Sequence, residues 1–401
     1  MFHRISHMEP LFPKAERAVV DLAMNVYRES AELGGILNPI TRNRISELLR
    51  HINSYYSNRI EGDHTNPVDI ERAIRQQYST DTAMRQLQEL SVAHIEVQKR
   101  IDERLASNPE LEVCSKEFLC WIHREFYRRV PESYLEISHP EKDEIITMVP
   151  GEIRKYNVKV GNHIAPVYTA LDDFLNHFQK KYNPDTLSGH ALLLAAVASH
   201  HRLVWIHPFL DGNGRVSRLF NYAYLQKVKL ESYGLWTLSR GFARDDQHYK
   251  NRLAYADSIR KGDLDGRGNL SQKALTEFCT FFFETALDQV HFMKKLLRLE
   301  DFRERIMGYV NLRSLKMIPD EGELRIEAKY VLTEIMMHGE IVRGEVQHLI
   351  GAGERTATTL IGKLLDEELV RSESHRSPLR FNIPTKVVGY YFPKLYPEGL
   401  I

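Results

Sequence analysis

From His207 to Arg218 the sequence reads His207-Pro208-Phe209-Leu210-Asp211-Gly212-Asn213-Gly214-Arg215-Val216-Ser217-Arg218, a string whose residue types suit phosphate chemistry. Backbone N–H groups at Gly212, Asn213 and Gly214 can line a concave nest at the start of a helix, where unpaired donors and the positive dipole end favour an anion. Glycine is useful there because a Cβ would hold phosphate oxygens away. Arg215 and Arg218, three apart in the first turn, share a face and can offer forked donors to successive phosphates. Asp211 is a hard oxygen ligand suited to Mg2+. His207 titrates near neutrality and can take a proton from an incoming hydroxyl. By residue class alone this is a candidate phosphate site, since a two-glycine turn near arginines also occurs as a plain turn.

The elements that must hold this string are mostly helical. From about Lys14 to Leu105 the apolar residues recur at three- and four-residue spacing, as in Ile45, Leu48, Leu49 and Ile52, with Asn38-Pro39 and Asn66-Pro67 interrupting the pattern. Further helices are expected over Glu112 to Arg128 and Ala170 to Phe178. Between them, β-type residues (Ile145, Ile146; Val158, Val160) around Pro150-Gly151 and Gly161-Asn162 predict a hairpin. A long helix capped by Asp185 or Ser188 carries Leu192 to Val204 into the motif, and a second helix leaves it toward Lys229. Asp245 to Leu299 is again helical, broken by the turn-rich run Gly262 to Asn269. Met317 to Gly322 reads as a linker. Three helices follow, near Ile326 to Met337, Val342 to Ile350 and Arg355 to Leu369, then strand-like residues around Ser377-Pro378, the order of a winged helix-turn-helix. The expected fold is therefore mainly α, divided into an N-terminal helical region (1–110), a core (111–300), a connecting helix or linker (301–322) and a winged helix domain (323–401).

Bulk composition excludes several classes. The 54 Lys and Arg balance 54 Asp and Glu, so no global field draws the chain to nucleic acid or to an anionic membrane. No apolar run approaches a membrane span and the first residues carry no signal-peptide pattern, which makes a cytoplasmic location the expectation. The three cysteines, Cys114, Cys120 and Cys279, form no CxxC pair and read as reduced thiols in or near the core.

The motif resembles the signature of the Fic family, HxFx(D/E)GNGRxxR, at every defined position, and the similarity of layout runs from about Ile45 to Leu299. That resemblance implies a protein adenylyltransferase, an enzyme that moves AMP from ATP to a Ser, Thr or Tyr hydroxyl of a target protein or of itself. It implies His207 as base, Asp211 as the Mg2+ ligand, the Gly212, Asn213 and Gly214 amides on the α- and β-phosphates, and Arg215 and Arg218 on the β- and γ-phosphates. Gly214 departs from the phosphorylating Doc branch, which has lysine there. The resemblance further makes the hairpin ahead of the motif a flap that pins the target by strand addition, with Val158, Lys159, Val160, Gly161, Asn162 and His163 near its tip. Tyr249 resembles a tyrosine near the adenine, and a core tyrosine fits its sequence equally well. Upstream, Ser57-Asn58-Arg59-Ile60-Glu61-Gly62 resembles the Fic inhibitory motif (S/T)xxxE(G/N), at the end of a helix over about 44–62. Glu61 would then pair with Arg218 and keep the γ-phosphate from seating.

The C-terminal region is less informative. Between Arg325 and Lys386 nine Lys and Arg face nine Asp and Glu, and Asp366-Glu367-Glu368 near the end of the expected recognition helix would repel phosphate, although Arg355, Thr356, Thr358 and Thr359 suit base contacts at its start. DNA binding and a protein-docking or homodimer role weigh equally. Two further readings stay open: a DNA-binding regulator whose Fic part senses nucleotide, and an enzyme that also removes AMP, with Glu61 positioning water.

Overall fold

The computed structural model describes residues 2–139 and 142–397, so Met1 and residues 398–401 of the two terminal segments lie outside it. The N-terminal region holds α1 (Arg17–Gly34), α2 (Pro39–Ile60), α3 (Pro67–Ile74) and α4 (Thr82–Ser107). The Asn-Pro pairs that break the periodicity are helix starts. Asn38 and Asn66 are extended and their side chains accept from the Thr41 and Val68 amides, while Pro39 and Pro67 take first helical positions, where an amide hydrogen is not needed.

The core continues through α5 (Lys116–Tyr127), the short strands β1 (Glu136–Ser138), β2 (Ile145–Thr147), β3 (Lys159–Val160) and β4 (His163–Ile164), then α6 (Leu171–Tyr182), α7 (His190–Ile206), α8 (Asn213–Lys227), α9 (Leu238–Ala243), α10 (Asp246–Ala256) and α11 (Gln272–Leu297). Here the expected hairpin needs correction. Ile145 and Ile146 do not pair forward with Val160; they pair back with Ser138 and Ile137, and β3 with β4 forms a separate hairpin turning at Gly161-Asn162. Pro150-Gly151 lies between the two hairpins, and Gly151 is anchored because its amide donates to His123 Nδ1 at 2.8 Å. The expected cap of α7 also differs. Neither Asp185 nor Ser188 caps it by side chain: Asp185 sits in a separate 3-10 turn, and α7 begins after Gly189, whose φ of 56° turns the chain in.

α7 is buried along most of its length on all sides, including its polar run Ser199 to Arg202. It packs against α1, α6, α8 and α11, so its C-terminal residue is delivered from a rigid centre. All three cysteines are buried and unbridged, as their spacing suggests.

After α12 (Leu299–Ser314) come α13 (Ala328–His338), β5 (Glu340–Ile341), α14 (Val346–Ile350), α15 (Glu354–Asp366), β6 (Val370–Arg371), β7 (Leu379–Phe381) and α16 (Thr385–Tyr391). The strands form one antiparallel sheet in the order β5-β7-β6. Strand β5 is too short to be read from two residues of sequence. The acidic end of α15 is turned to internal use: the buried Arg313 guanidinium meets Glu321 at 2.7 Å and Glu367 at 2.8 Å, and Glu368 pairs with Arg75. The expected repulsion of phosphate by Glu367 and Glu368 is therefore largely neutralised.

This unit is seated on α2. At one end of α2, Asn38 Nδ2 donates to the Met337 carbonyl at 2.8 Å and Thr41 Oγ1 to the Met336 carbonyl at 2.9 Å, satisfying acceptors left over at the end of α13. Further along, Tyr56 donates to the Leu395 carbonyl at 3.0 Å and Tyr55 meets Tyr396 edge-on at 5.2 Å. Such a ring pair contributes ~1 kcal/mol beyond its buried area.

Candidate functional site

The site is built where α7 stops. His207 adopts a left-handed conformation (φ 51°) that ends the helix, and its Nδ1–H donates to the Val204 carbonyl at 3.3 Å. That bond assigns the proton to Nδ1 and leaves Nε2 as the acceptor. Burial pushes the His207 imidazole down to about 4, with His163 adding to the effect, so it titrates below the neutral range expected from its residue type and is unprotonated near pH 7. The loop that follows is locked from within: the Phe209 amide donates to Asn213 Oδ1 at 3.0 Å and Asn213 Nδ2 returns to the Phe209 carbonyl at 2.9 Å. Phe209 is buried and stacks on His123 at 4.1 Å, so it anchors the loop to α5. Thus the Asn213 side chain shapes the loop, and only its backbone amide remains for an anion.

At the start of α8, Gly212 has φ 77° and a Cβ on it would run into the Tyr127 ring, so both conformation and space require glycine. Tyr127 donates to Asp211 Oδ2 at 3.0 Å and fixes that carboxylate at the exposed lip of the loop. No cluster of three or more metal-ligating side chains occurs among the described residues. One oriented carboxylate is nonetheless the donor set that Mg2+ takes when phosphate oxygens and water supply its remaining ligands.

Both motif arginines are engaged. Arg218 donates from Nε to Ser57 Oγ at 2.9 Å, and from Nη2 to the Ser57 carbonyl at 3.0 Å and to Glu61 Oε1 at 2.6 Å. The sequence motif anticipates Ser57 and Glu61 in this position. It does not anticipate Asp63, which pairs with Arg215 Nη2. Gly62, at φ 96°, closes α2 and lets the Asp63 amide donate back to the Asn58 carbonyl at 3.1 Å, which aims the Asp63 side chain at α8. Burial pushes the Glu61 carboxyl up, but Arg218 and Arg215 more than offset it and hold it below the usual carboxylate range. Asp63 is held above its usual range by burial, against the pull of Arg215. A Cβ on Gly214 would collide with Glu61 Oε1, so the carboxylate lies against the first turn of α8.

The β3–β4 hairpin stands beside this loop, with Lys159, Val160, Gly161, Asn162 and Ile164 exposed and Val158 half-buried at its base. His163 differs from its neighbours: its Nε2–H donates to the Trp205 carbonyl at 2.8 Å and Nδ1 lies 3.4 Å from Asp257, so it ties the hairpin inward and presents nothing outward. Arg154, absent from the sequence reading, is the main tie. It is buried, and it donates to the carbonyls of His207 (2.7 Å), Tyr156 (2.7 Å) and Pro166 (2.6 Å), joining the hairpin base to the residue that ends α7. Burial alone lowers this guanidinium to about 10. A lone arginine in a loop carries no sequence signal for such a role. Tyr249 falls on the core side of its two readings. It is 2% exposed, stacks on Phe242 at 4.2 Å and donates to His200 Nε2 at 2.8 Å, so no open face is left for an adenine.

Residues 113–225 match the model of the Fic/DOC family. Proteins named protein adenylyltransferase Fic from Aedes aegypti and Drosophila erecta are 38% and 42% identical to this chain over 95 residues, 23% of this chain and 19% of each relative. The match therefore spans about a fifth of those relatives. Among solved structures, a Fic family protein from Desulfovibrio desulfuricans is similar over 92% of this chain and 97% of its own, with a TM-score of 0.52 at 16% identity. A C. elegans Fic-1 fragment gives 0.53 at 14% identity, over 70% of this chain and 73% of its own. The Fic/DOC match thus covers residues 113–225, the stretch that includes the His207 to Arg218 motif together with α7 and most of α8.

Proposed function

We propose that this chain is a protein adenylyltransferase that transfers AMP from ATP to a hydroxyl side chain of a target protein, and that Glu61 holds it inactive. His207 Nε2 takes the hydroxyl proton, the oxygen attacks the α-phosphorus, and the bond to pyrophosphate breaks. The amides of Gly212 to Gly214 receive phosphate oxygens at the start of α8, and Arg215 and Arg218 neutralise the outer phosphates. Asp211 would hold Mg2+, which would neutralise charge between phosphates. The exposed β3–β4 edge offers unpaired backbone groups to an extended target segment.

The observation that carries this reading is that both motif arginines are paired with carboxylates at the first turn of α8. Carboxylate oxygens there stand in for phosphate oxygens, so one feature supports both the ligand class and the inhibition. Glu61→Gly should free Arg218, and label transfer from ATP labelled on the α-phosphate should rise by at least about tenfold, the equivalent of one charge-assisted hydrogen bond. Unchanged labelling would remove Glu61 as an inhibitor, and transfer from γ-labelled ATP would make the enzyme a kinase. The element order α13-β5-α14-α15-β6-β7 supports a winged helix reading of the C-terminal unit. A band shift with duplex DNA would assign that unit to nucleic acid, and its absence to protein docking.

A further inference from the structure

A second basic hollow lies between the C-terminal half of α2, helices α9 and α11, and the tail that follows α16. Its volume is about 620 Å3. Arg59, Arg240, Arg244, Lys295 and Lys394 line it, and among the described residues the opposing carboxylate is Asp288, which pairs with Arg244 at 2.8 Å. These cations come from four separate segments, so no single helix pattern accounts for their convergence.

Arg240 is the informative member. It is 5% exposed and its guanidinium lies 3.6 Å from the centre of the Phe292 ring. Its Nη1 donates to Gln289 Oε1 at 2.9 Å and its Nη2 to the Lys394 carbonyl at 2.8 Å, both neutral oxygens, while Nε is buried with no hydrogen-bond partner among the described residues. Burial holds the guanidinium below the usual arginine range. A desolvated cation with neutral partners is costly unless an anion completes it. Arginine forks match phosphate oxygens in pairs, and a hollow of this size falls within the ~300–1,000 Å3 usual for small-molecule sites.

We propose that this hollow binds a small polyanion carrying two or more phosphate groups, at a site separate from the His207 to Arg218 motif. One phosphate meets Arg240 and Arg59 near the floor, and another meets Lys295 and Arg244 at the rim. Tyr56 and Arg59 belong to the last turns of α2 before Glu61, so the ligand touches the helix that ends at the motif and the C-terminal tail at once.

Titration calorimetry of the full chain with inorganic tripolyphosphate tests this. Lys295 is exposed, so Lys295→Glu should keep the fold and weaken binding about tenfold or more. Lys295→Arg should retain binding, and Asp288→Asn, which removes the opposing carboxylate, should tighten it. Arg215→Ala should leave the affinity unchanged, because that residue serves the motif. Absence of binding by the wild-type chain overturns the proposal. So does binding that Arg215→Ala weakens and Lys295→Glu does not, which would place the probe in the motif.

Discussion

The arginine pair of the motif and the arginine cluster around Arg240 differ in how charge is balanced. At the motif, Arg215 and Arg218 are each met by a carboxylate from the segment after α2, and the Glu61 carboxyl is held ionised by them. At the second hollow, Arg240 has neutral partners, and its Nε, like that of Arg215, has no hydrogen-bond partner among the described residues. A motif arginine that already holds a carboxylate must release it before a phosphate can take its place, whereas among the described residues Arg240 holds no carboxylate and the one in its hollow, Asp288, pairs with Arg244. The same residue type is thus charge-paired in one place and held by neutral oxygens in another, and the deciding factor is which chain segment arrives opposite.

The largest effect should come from the chemistry proposed for the motif alone. In a Glu61→Gly background, His207→Ala should lower transfer from α-labelled ATP by about 10²–10⁴-fold while ATP still binds, because the imidazole acts on the hydroxyl proton. Equal rates for the two proteins would end that assignment.

The gate itself is broken next. Adding Arg218→Ala to Glu61→Gly should abolish the gain that Glu61→Gly produces, since the released arginine is then missing. Adding Asp63→Asn instead should raise transfer further by several-fold, on the scale of one partly buried ion pair of roughly 1 kcal/mol. If self-labelling is the same with and without Asp63→Asn, the motif has one gate residue and not two.

Arg154 tests whether the hairpin and the base act as one piece. Arg154→Met keeps much of the volume and removes the three bonds to carbonyls, so kcat should fall by about 10-fold or more from misplacement of His207 while the affinity for ATP is little changed. A change confined to ATP affinity would show that Arg154 does not position the base.

The smallest separate effect concerns acid. His94 and His200 are fully buried beside the motif arginines, which together with burial hold both near 3, and His123 is held at about 4 by burial. Their folded values lie below the ordinary 6.5, so the unfolded chain binds the protons first as pH falls. Stability present above pH 6.5 should therefore decline through the window from 6.5 toward 3, by roughly 1 kcal/mol per histidine per pH unit. Urea midpoints between pH 7 and 4 would measure it, and His94→Gln should flatten the slope by one proton.

Much of the site is legible in sequence because its logic is local. The glycines, Asp211, Arg215 and Arg218 lie within one loop and one helical turn, so spacing alone puts them together, and resemblance to a family pattern adds Ser57 and Glu61 at long range. The helices follow from their apolar periodicity, and the Asn-Pro pairs mark two starts where they look like interruptions. Pairing of short strands was not legible: β1 to β4 are two or three residues each, and nothing in such segments says whether Ile145 turns back to Ser138 or forward to Val160.

What the sequence determined by itself, then, is the set of groups proposed to act: His207, the Gly212 to Gly214 loop, Asp211 and two arginines, brought together by residue type and close spacing. What only the tertiary structure decided is which groups meet across distance. Asp63 reaches Arg215 because Gly62 reverses the chain, Arg154 reaches His207 because the hairpin folds over α7, and Arg240 gathers Arg59, Lys295 and Lys394 because three helices and a tail converge. Such meetings depend on the packing of whole elements against one core, and charge balance in a buried site is a property of the assembled neighbourhood, which no local pattern encodes.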